Sequence, residues 1–343
     1  MFDTERIHVK SERILKSLTV VTALSTLLGV TACSAATAPA AEVADVAAAD
    51  GFPIVIEHAM GSTEIPEKPI RVVALDPSYV DATLLLGAEL VGYAQYRQDP
   101  ANPFAPYLGD VTAETENAVN VGTMAEPDLE KILELEPDLI ISAKVRQEAL
   151  YPQLSKIAPT VFSVSTGPTW KENVVLLGEA LGKKDKAEEL VAAYQRRAAD
   201  VGAAILASDP EVTYSLIRFV GEDTARLYSS DSFIGEIMTD MGIPRPADGP
   251  DTTESIFVPL SAEQILEGDA GLIMVSAFTP DGTEGDASRA QQELFESNPL
   301  WERLQGDILN VDDGTFLASV SIQGAHAVIT QLAEHFGVDP LLP

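Results

Sequence analysis

The sequence predicts an α/β protein of two Rossmann-like lobes with mainly parallel sheets, joined by a single long helix. Three observations predict it: a repeated stretch, strands that alternate with helices, and a long helical pattern between the two copies of the repeat. Residues 128–142 recur as residues 261–276, with Glu130 matching Glu263 and Ile132 matching Ile265. The copies lie too far apart for a solenoid repeat, so they indicate two similar lobes.

Each copy of the repeat has the pattern of a short helix, a turn and a buried strand. Asp128 and Ser261 are helix-capping residues, and Ser261 with Gln264 fits a capping box. An unbroken apolar run after a turn is typical of a parallel strand that is buried on both faces.

The first lobe is predicted over residues 52–167. The pattern indicates a hairpin first, and then strands alternating with helices, which favours a parallel sheet with right-handed crossovers. The predicted strands are 53–57, 63–65, 71–75, 90–93, the repeat strand and 160–164; the helices are 76–86, the repeat helix and 147–157. Residues 95–115 contain three prolines and predict a long loop at the edge of the lobe.

Residues 168–207 are predicted to be helical and to link the lobes. Within them, residues 185–206 form one uninterrupted pattern with a single apolar stripe that includes Tyr194, Val201 and Ile205. Such a helix is roughly 33 Å long, enough to cross from one lobe to the other. The alternative is an ordinary surface helix of a single domain, and the repeat on both sides favours the connector.

The second lobe is predicted over residues 208–343, where the strand and helix pattern starts again. It has predicted strands at 212–220, 226–228, the second repeat copy and 308–311, and predicted helices at 232–241 and 322–336. Residues 280–288 are expected to be a flexible acidic loop.

The N-terminus has the layout of a secretory signal, predicted over residues 1–32. Four basic residues precede an apolar run that is too short to span a bilayer comfortably, and the run ends at Cys33, the one cysteine of the chain. Residues 30–33 look like the lipobox of bacterial lipoproteins, which implies a lipid on Cys33 and a flexible tether over 33–51. The alternative is an uncut anchor helix with an incidental cysteine.

The chain is strongly acidic, with 53 Asp and Glu against 22 Lys and Arg and a net charge of −31. A surface of this charge repels nucleic acid and anionic lipid headgroups, so no nucleic-acid partner is expected. Adaptation of the surface to a salty or alkaline medium explains the charge equally well.

Enzyme and metal signatures are missing from the sequence. It contains no glycine-rich nucleotide motif, no zinc-protease motif, no nucleophile-elbow motif and no C-x-x-C pair. His58, His326 and His335 are far apart, so neither a catalytic centre nor a protein-bound metal is predicted.

Five further motifs carry a family resemblance together with the lipobox. In order they are KPIRVVAL at 68–75, EPDLEKIL at 126–133, EPDLII at 136–141, YPQLSKIAP at 151–159 and LYSSDSFIG at 227–235. The chain resembles the ferric-siderophore substrate-binding lipoproteins of bacterial ABC importers from about Phe52 to Phe336. The resemblance implies two α/β lobes joined by one rigid helix, with the ligand in the cleft between them. Gly271 departs from the family, which usually has aspartate there.

The resemblance gives Glu130 and Glu263 a role in docking to the permease. Each lies in the first turn of its helix, and two carboxylates held apart by a rigid body suit a docking surface. The alternative is that they only stabilise the helix dipole, by about 0.3–1 kcal/mol.

Arg218 is the first candidate ligand-binding residue. It lies in an apolar strand and needs a partner, which is either a structural carboxylate or an anionic ligand. The resemblance implies that it faces the cleft. The other candidates lie near strand ends or are aromatic residues suited to a cleft wall, although such aromatics are more often core; they are Arg146, Arg226, Tyr228, Tyr96, Arg97, Tyr151, Trp170 and Phe278.

The resemblance implies a monomer that captures a ferric siderophore and delivers it to a transmembrane ABC permease. The protein is expected on the outer face of the cytoplasmic membrane, held there by its lipid. The siderophore, not the protein, ligates the iron. Haem or cobalamin binding on the same scaffold remains an alternative, as does an exported enzyme or adhesin.

Overall fold

The computed structural model describes residues 51–97 and 101–343. The predicted signal at 1–32, Cys33 and nearly all of the tether at 33–51 lie outside the described residues. Within the described part of the chain, no helix is both long and apolar enough to cross a bilayer.

The described part of the chain begins with the predicted hairpin. Strands β1 (Ile54–His58) and β2 (Gly61–Ile65) pair antiparallel, and Ile56 and Ile65 are buried. The Ala59 amide donates to the Phe162 carbonyl at 2.9 Å, so the hairpin is attached to the edge of the first sheet.

The first sheet is parallel throughout. It consists of β3 (Arg71–Ala74), β4 (Glu89–Gln95), β5 (Val119–Thr123), β6 (Leu139–Ala143) and β7 (Thr160–Ser163), in the spatial order β5-β4-β3-β6-β7. Its central strands are apolar runs because both faces are covered by helices. Val72 and Ala74 face the central core, whereas Val73 and Leu75 face an outer cluster.

Five helices belong to the first lobe: α1 (Pro77–Leu85), α2 (Thr112–Thr115), α3 (Leu129–Glu134), α4 (Lys144–Gln147) and α5 (Tyr151–Leu154). Asp76 caps α1 by accepting from the Ser78 amide, and Asp128 caps α3 by accepting from the amides of Glu130 and Lys131. The predicted helix over 147–157 is a 3₁₀ turn followed by the single turn of α5, since Pro152 limits the hydrogen bonding there.

Helices α6 (Trp170–Ala180) and α7 (Lys184–Ser208) follow the first sheet, and α7 is the predicted long helix with 25 residues. Its apolar stripe is buried as predicted, with Tyr194, Val201 and Ile205 at 0% exposure. Gly202 permits a close approach, since a Cβ there would lie 1.8 Å from the Met241 carbonyl oxygen.

The second sheet repeats the first with one change. It consists of β8 (Tyr214–Phe219), β9 (Ala225–Tyr228), β10 (Phe257–Leu260), β11 (Leu272–Ala277) and β12 (Asp307–Asn310), in the order β10-β9-β8-β11-β12. Only β9 runs antiparallel to its neighbours, because a short turn connects β8 to β9 where the first lobe has a helical crossover. The predicted two-lobed, mainly parallel α/β fold is confirmed.

The two copies of the repeat occupy equivalent places. In the first lobe α3 precedes β6; in the second a 3₁₀ helix, Ala262–Gly268, precedes β11. Ile132 and Ile265 are fully buried. The next residue, Leu133, is 58% exposed, because the short helix turns only one side toward the sheet.

The remaining helices are α8 (Phe233–Asp240), α9 (Thr283–Glu296) and α10 (Ile322–His335), with a π-helical segment at Gly314–Ala318. The prediction of a flexible loop over 280–288 is wrong, since α9 begins within it. The buried face of α9 carries Gly285, Ser288, Gln291 and Phe295, and three of these four are not apolar, so the helical period is hidden.

Three apolar clusters make up the core. The largest lies between the inner faces of the two sheets and includes residues of α1, α6, α7, α8 and α10. The other two lie on the outer face of each sheet. The helices between the sheets therefore connect both lobes through one continuous core.

Candidate ligand-binding site

A cavity of about 780 Å³ opens where strands of both lobes end. Its first-lobe wall is the end of β4, with the loop over 102–108 and the first turn of α1. Its second-lobe wall follows the ends of β11 and β12, at 277–280 and 311–315. Ligands in open α/β sheets bind outside the carboxyl ends of the strands, so this cavity is the candidate site.

Aromatic rings form much of the wall. Tyr93 and Phe104 lie 4.8 Å apart between ring centroids within the first lobe. Tyr96 and Phe278 lie 5.5 Å apart, edge to face, and join the two lobes across the cavity. Such surfaces provide apolar contact area for the organic part of a ligand.

Arg97 lies at the rim of the cavity and contacts the opposite lobe. Its Nη1 is 2.7 Å from the Glu284 Oε2, and its guanidinium carbon lies 4.8 Å from the centroid of Phe278. Both charged side chains are about half exposed, at 47% and 56%. Solvent screens such a pair, so it contributes little to stability.

Arg218 is buried at the end of β8, and its partner is a carboxylate of the protein. Its Nε and Nη2 donate to the two carboxylate oxygens of Asp313, each at 2.6 Å, and its Nη1 donates to the Tyr228 hydroxyl at 3.1 Å. The sequence left two kinds of partner open for Arg218, a structural carboxylate or an anionic ligand. In the structure the partner is the carboxylate of Asp313. Asp313 lines the cavity, whereas Arg218 lies behind it.

The surroundings of Arg218 favour its charged form. Burial disfavours the charge, but the Tyr228 oxygen and the Asp313 carboxylate outweigh it and raise the pKa of Arg218 above its ordinary value. The Ser276 hydroxyl also donates to Asp313, at 3.1 Å, which further stabilises the carboxylate.

Arg146 and Arg226 do not line the cavity. Arg146 donates to the capping carboxylate of Asp76 at 2.9 Å. Arg226 donates to Glu222 and lies 4.6 Å from the ring of Phe257. The structure thus places both predicted ligand-binding arginines in contacts with their own lobes.

Tyr151 and Trp170 are packing residues in this structure, contrary to the prediction that they line the cleft. Trp170 is 1% exposed and packs edge to face on Tyr194 and Phe233. Tyr151 packs on Phe162, beside the β1–β2 hairpin. Both rings fill space between helices and strands, the commoner fate of an aromatic residue. Of the nine predicted ligand residues, Tyr96, Arg97 and Phe278 line the cavity.

Sequence reasoning missed several residues of the cavity wall. Tyr93, Phe104 and Tyr107 belong to the end of β4 and the long loop, and Asp312 and Asp313 lie just beyond β12, after Val311. The rule that ligands sit at strand ends identifies the two aspartates, once the strand before them is recognised. Nothing in the sequence indicates the π-helical segment that follows.

Beneath the cavity a buried carboxylate links α1 to the start of α10. Asp81 is fully buried and accepts hydrogen bonds from Ser321 and from Gln323 Nε2. Burial raises the pKa of Asp81 to about 6, against the effect of these hydrogen bonds. Burial likewise raises the pKa of the neighbouring Tyr107.

A second groove, of about 810 Å³, lies between the hairpin, β7, α6 and α7. Most of its wall comes from the first lobe and the linking helices. It reaches the carboxyl end of β7 but no strand of the second sheet, so it is the weaker candidate for a ligand bound between the lobes. Among the residues that the structure describes, no group of three or more His, Cys, Asp or Glu side chains is arranged to hold a metal ion.

Glu130 and Glu263 are both exposed, in the first turns of their helices. These helices follow β5 and β10, which are equivalent edge strands of the two sheets. Strand β10 is parallel to β8, because β9 is antiparallel to both. The two glutamates therefore lie at the carboxyl edges of their sheets, the edges that border the cavity.

His326 is a packing residue of α10. Its Nδ1 accepts from Arg197 Nη1 at 2.9 Å, and its ring packs on Tyr194. Burial, with the Arg197 charge, lowers the pKa of His326 to about 4, so this side chain is neutral at neutral pH.

Comparison with known proteins agrees with this architecture. Residues 72–305 match the model of the family described as periplasmic binding protein. The chain is 33% identical to the probable siderophore-binding lipoprotein YfiY of Bacillus subtilis over 82% of this chain and 87% of that protein. It is 26% identical to the Fe(3+) dicitrate-binding periplasmic protein FecB of Escherichia coli, over 85% of this chain and 95% of that protein.

Among solved structures, Staphylococcus aureus SirA complexed with staphyloferrin B aligns with a TM-score of 0.75 and 29% identity, over 84% of this chain and 99% of SirA. These matches confirm the resemblance that the ordered motifs indicate. The chain belongs to the periplasmic binding protein family of substrate-binding proteins.

Proposed function

We propose that this protein captures a ferric siderophore outside the cytoplasmic membrane and delivers it to the permease of an ABC importer. The observation that carries the proposal is the aromatic-walled cavity between two lobes that share one core. The names of two relatives of this protein support the proposal, since YfiY is named as siderophore-binding and FecB as binding ferric dicitrate.

The iron is part of the cargo and is ligated by the siderophore. The protein contributes apolar and aromatic surface to the organic shell, together with polar groups at the ends of the strands. Cys33 carries the lipid that holds the protein on the outer face of the cytoplasmic membrane. The protein acts as a monomer and has no catalytic step.

Calorimetric titration of the soluble chain starting at Ser34 tests the proposal. We expect saturable one-to-one binding of a ferric siderophore and no binding of its iron-free form. Haem and cobalamin belong in the panel, because saturation by either of them alone favours the alternative ligands. Failure of every compound to bind contradicts the assignment of the cavity.

A matched pair of variants localises the site. Phe278→Ala removes a half-buried ring that lines the cavity beside Arg97, and we expect it to weaken binding by about tenfold, or about 1.4 kcal/mol. Phe257→Ala removes a half-buried ring that lies beside Arg226 outside the cavity. Equal effects of the two variants on affinity contradict the proposed site.

A further inference from the structure

The cavity contains little positive charge. Arg97 is the one Lys, Arg or His among the described residues that line it, and its charge is paired with Glu284 at 2.7 Å. The three residues between the described parts of the chain, Gln98, Asp99 and Pro100, are not basic.

The second-lobe wall is acidic. Asp312 is exposed, and its carboxylate accepts from the amide and hydroxyl of Thr315, both at 2.8 Å and both neutral donors. Asp313 lines the cavity with its charge matched by Arg218 behind it. At the cavity, the charge of Arg97 is matched by Glu284 and the charge of Arg218 by Asp313. Asp312 then leaves these five charged groups with an excess of one negative charge.

Arg218 is not available to an anionic ligand while Asp313 holds it. Both arms of the guanidinium fork are occupied at 2.6 Å, and the third nitrogen contacts Tyr228. A ligand carboxylate or catecholate that took the place of Asp313 would leave the Asp313 carboxylate unpaired beside an anion, which is costly because this carboxylate is largely buried.

We infer that the cavity takes a ferric siderophore complex of neutral or positive overall charge, such as a hydroxamate complex, and discriminates against a highly anionic one. The inference rests on the proposed function and deepens it. Aromatic rings attract cations through their faces, and the net charge of −31 adds a field of the same sign over the whole molecule.

The test uses ligands with one iron shell and different charges. Ferrioxamine B is positively charged, its N-acetylated form is neutral and its N-succinylated form is negative, while the iron ligands are identical. Ferrichrome, ferric citrate and the triply negative ferric enterobactin complete the panel. We expect the positive or neutral complexes to bind at least about tenfold more tightly than the negative ones, which is about 1.4 kcal/mol.

Variants of the wall identify the source of the discrimination. Asp312→Asn and Asp313→Asn each remove one negative charge at the cavity and are expected to increase the relative affinity for negative complexes several-fold. Asp313→Asn leaves the buried Arg218 charge uncompensated and is expected to lower stability, so its affinities are measured where the variant is folded. Asp312→Asn loses a carboxylate whose partners are the neutral donors of Thr315, and it tests the inference without that cost. Asp200→Asn removes the same charge from the exposed face of α7 and is expected to change nothing.

The outcomes separate the two levels of the proposal. Tight binding of ferric enterobactin or ferric citrate, with weak binding of the positive and neutral complexes, overturns the charge inference and leaves the siderophore function standing. Equal effects of the Asp200 and Asp312 variants also overturn it. Failure of every ferric complex to bind overturns the proposed function and the inference with it.

Discussion

Arg218 and Asp313 form a buried, bidentate ion pair at the wall of the cavity, with side-chain exposures of 6% and 12%. From the sequence alone, the loss of Arg218 is expected to weaken ligand binding and to change stability by no more than about 1–2 kcal/mol. The geometry changes this expectation, because removing one partner of a buried pair leaves the other charge uncompensated.

We therefore predict that Arg218→Ala lowers the free energy of unfolding by about 3 kcal/mol, measured by urea denaturation. Arg226→Ala is the matched control, because Arg226 also pairs with a carboxylate, but its partner Glu222 is about half exposed. We expect it to cost less than about 1 kcal/mol. A similar decrease in the free energy of unfolding in both variants would show that burial does not determine how much the ion pair contributes to stability.

The sequence proposes Tyr96, Arg97 and Phe278 as ligand-binding residues, and each lies just beyond a strand end in the wall of the cavity. The sequence could not show that Tyr151 and Trp170 are core residues and not ligand-binding ones, because aromatic residues occur both in cores and in cleft walls. Nor could it identify Asp313 as the partner of Arg218, because the two are brought together by the parallel arrangement of strands rather than by sequence spacing.

At the scale of elements, α1 and α10 meet through Asp81, and this contact depends on pH. The native pKa of about 6 is above the ordinary value of 3.8, so the native protein binds the proton at a higher pH than the unfolded chain does. The stability contributed by this group is therefore complete below the unfolded pKa and is lost as pH rises through the native pKa.

We predict that Asp81→Asn removes this loss. Relative to wild type, the variant should gain about 1 kcal/mol of stability between about pH 5 and pH 7.5, a range above the isoelectric point of about 4.3. Any fixed effect of the amide on Ser321 and Gln323 cancels in this comparison. Urea denaturation across the range measures it, with Asp200→Asn as the exposed control. A constant difference between Asp81→Asn and wild type contradicts the prediction.

Most elements could be predicted because their patterns are local. The buried strands β6 and β11 are unbroken apolar runs, and α7 has a clean apolar stripe. Helix α9 was missed because its buried positions are mostly small or polar, so its helical state is decided by packing on β8 and β11 rather than by its own periodicity. The antiparallel direction of β9 could not be predicted either, because it depends on the short turn that connects β8 to β9.

At the scale of the whole molecule, one core runs between the two sheets through α6, α7 and α10. Lobes that share such a core are expected to move little relative to one another, because packed helices resist large displacements. A body of this kind holds surface groups of the two lobes at a nearly fixed separation.

Glu130 and Glu263 are surface groups of this kind, one on each lobe. They lie at equivalent edges of the two sheets, exposed, above the fully buried Ile132 and Ile265. A permease with two positive sites at the matching separation would recognise them together. The alternative, that they only stabilise the helix dipole, predicts a loss of stability of about 0.3–1 kcal/mol and no loss of transport.

We predict that Glu130→Gln combined with Glu263→Gln lowers cellular import of the ferric siderophore by at least about tenfold, whereas its affinity for the purified protein is unchanged. The repeat itself provides the matched control: Glu134→Gln with Glu267→Gln changes exposed glutamates of the same two helices, one turn further on. Loss of ligand affinity in the first double variant would assign Glu130 and Glu263 to the site or the fold. Equal import by the two double variants would place docking elsewhere on the surface, since both carry the same change in net charge.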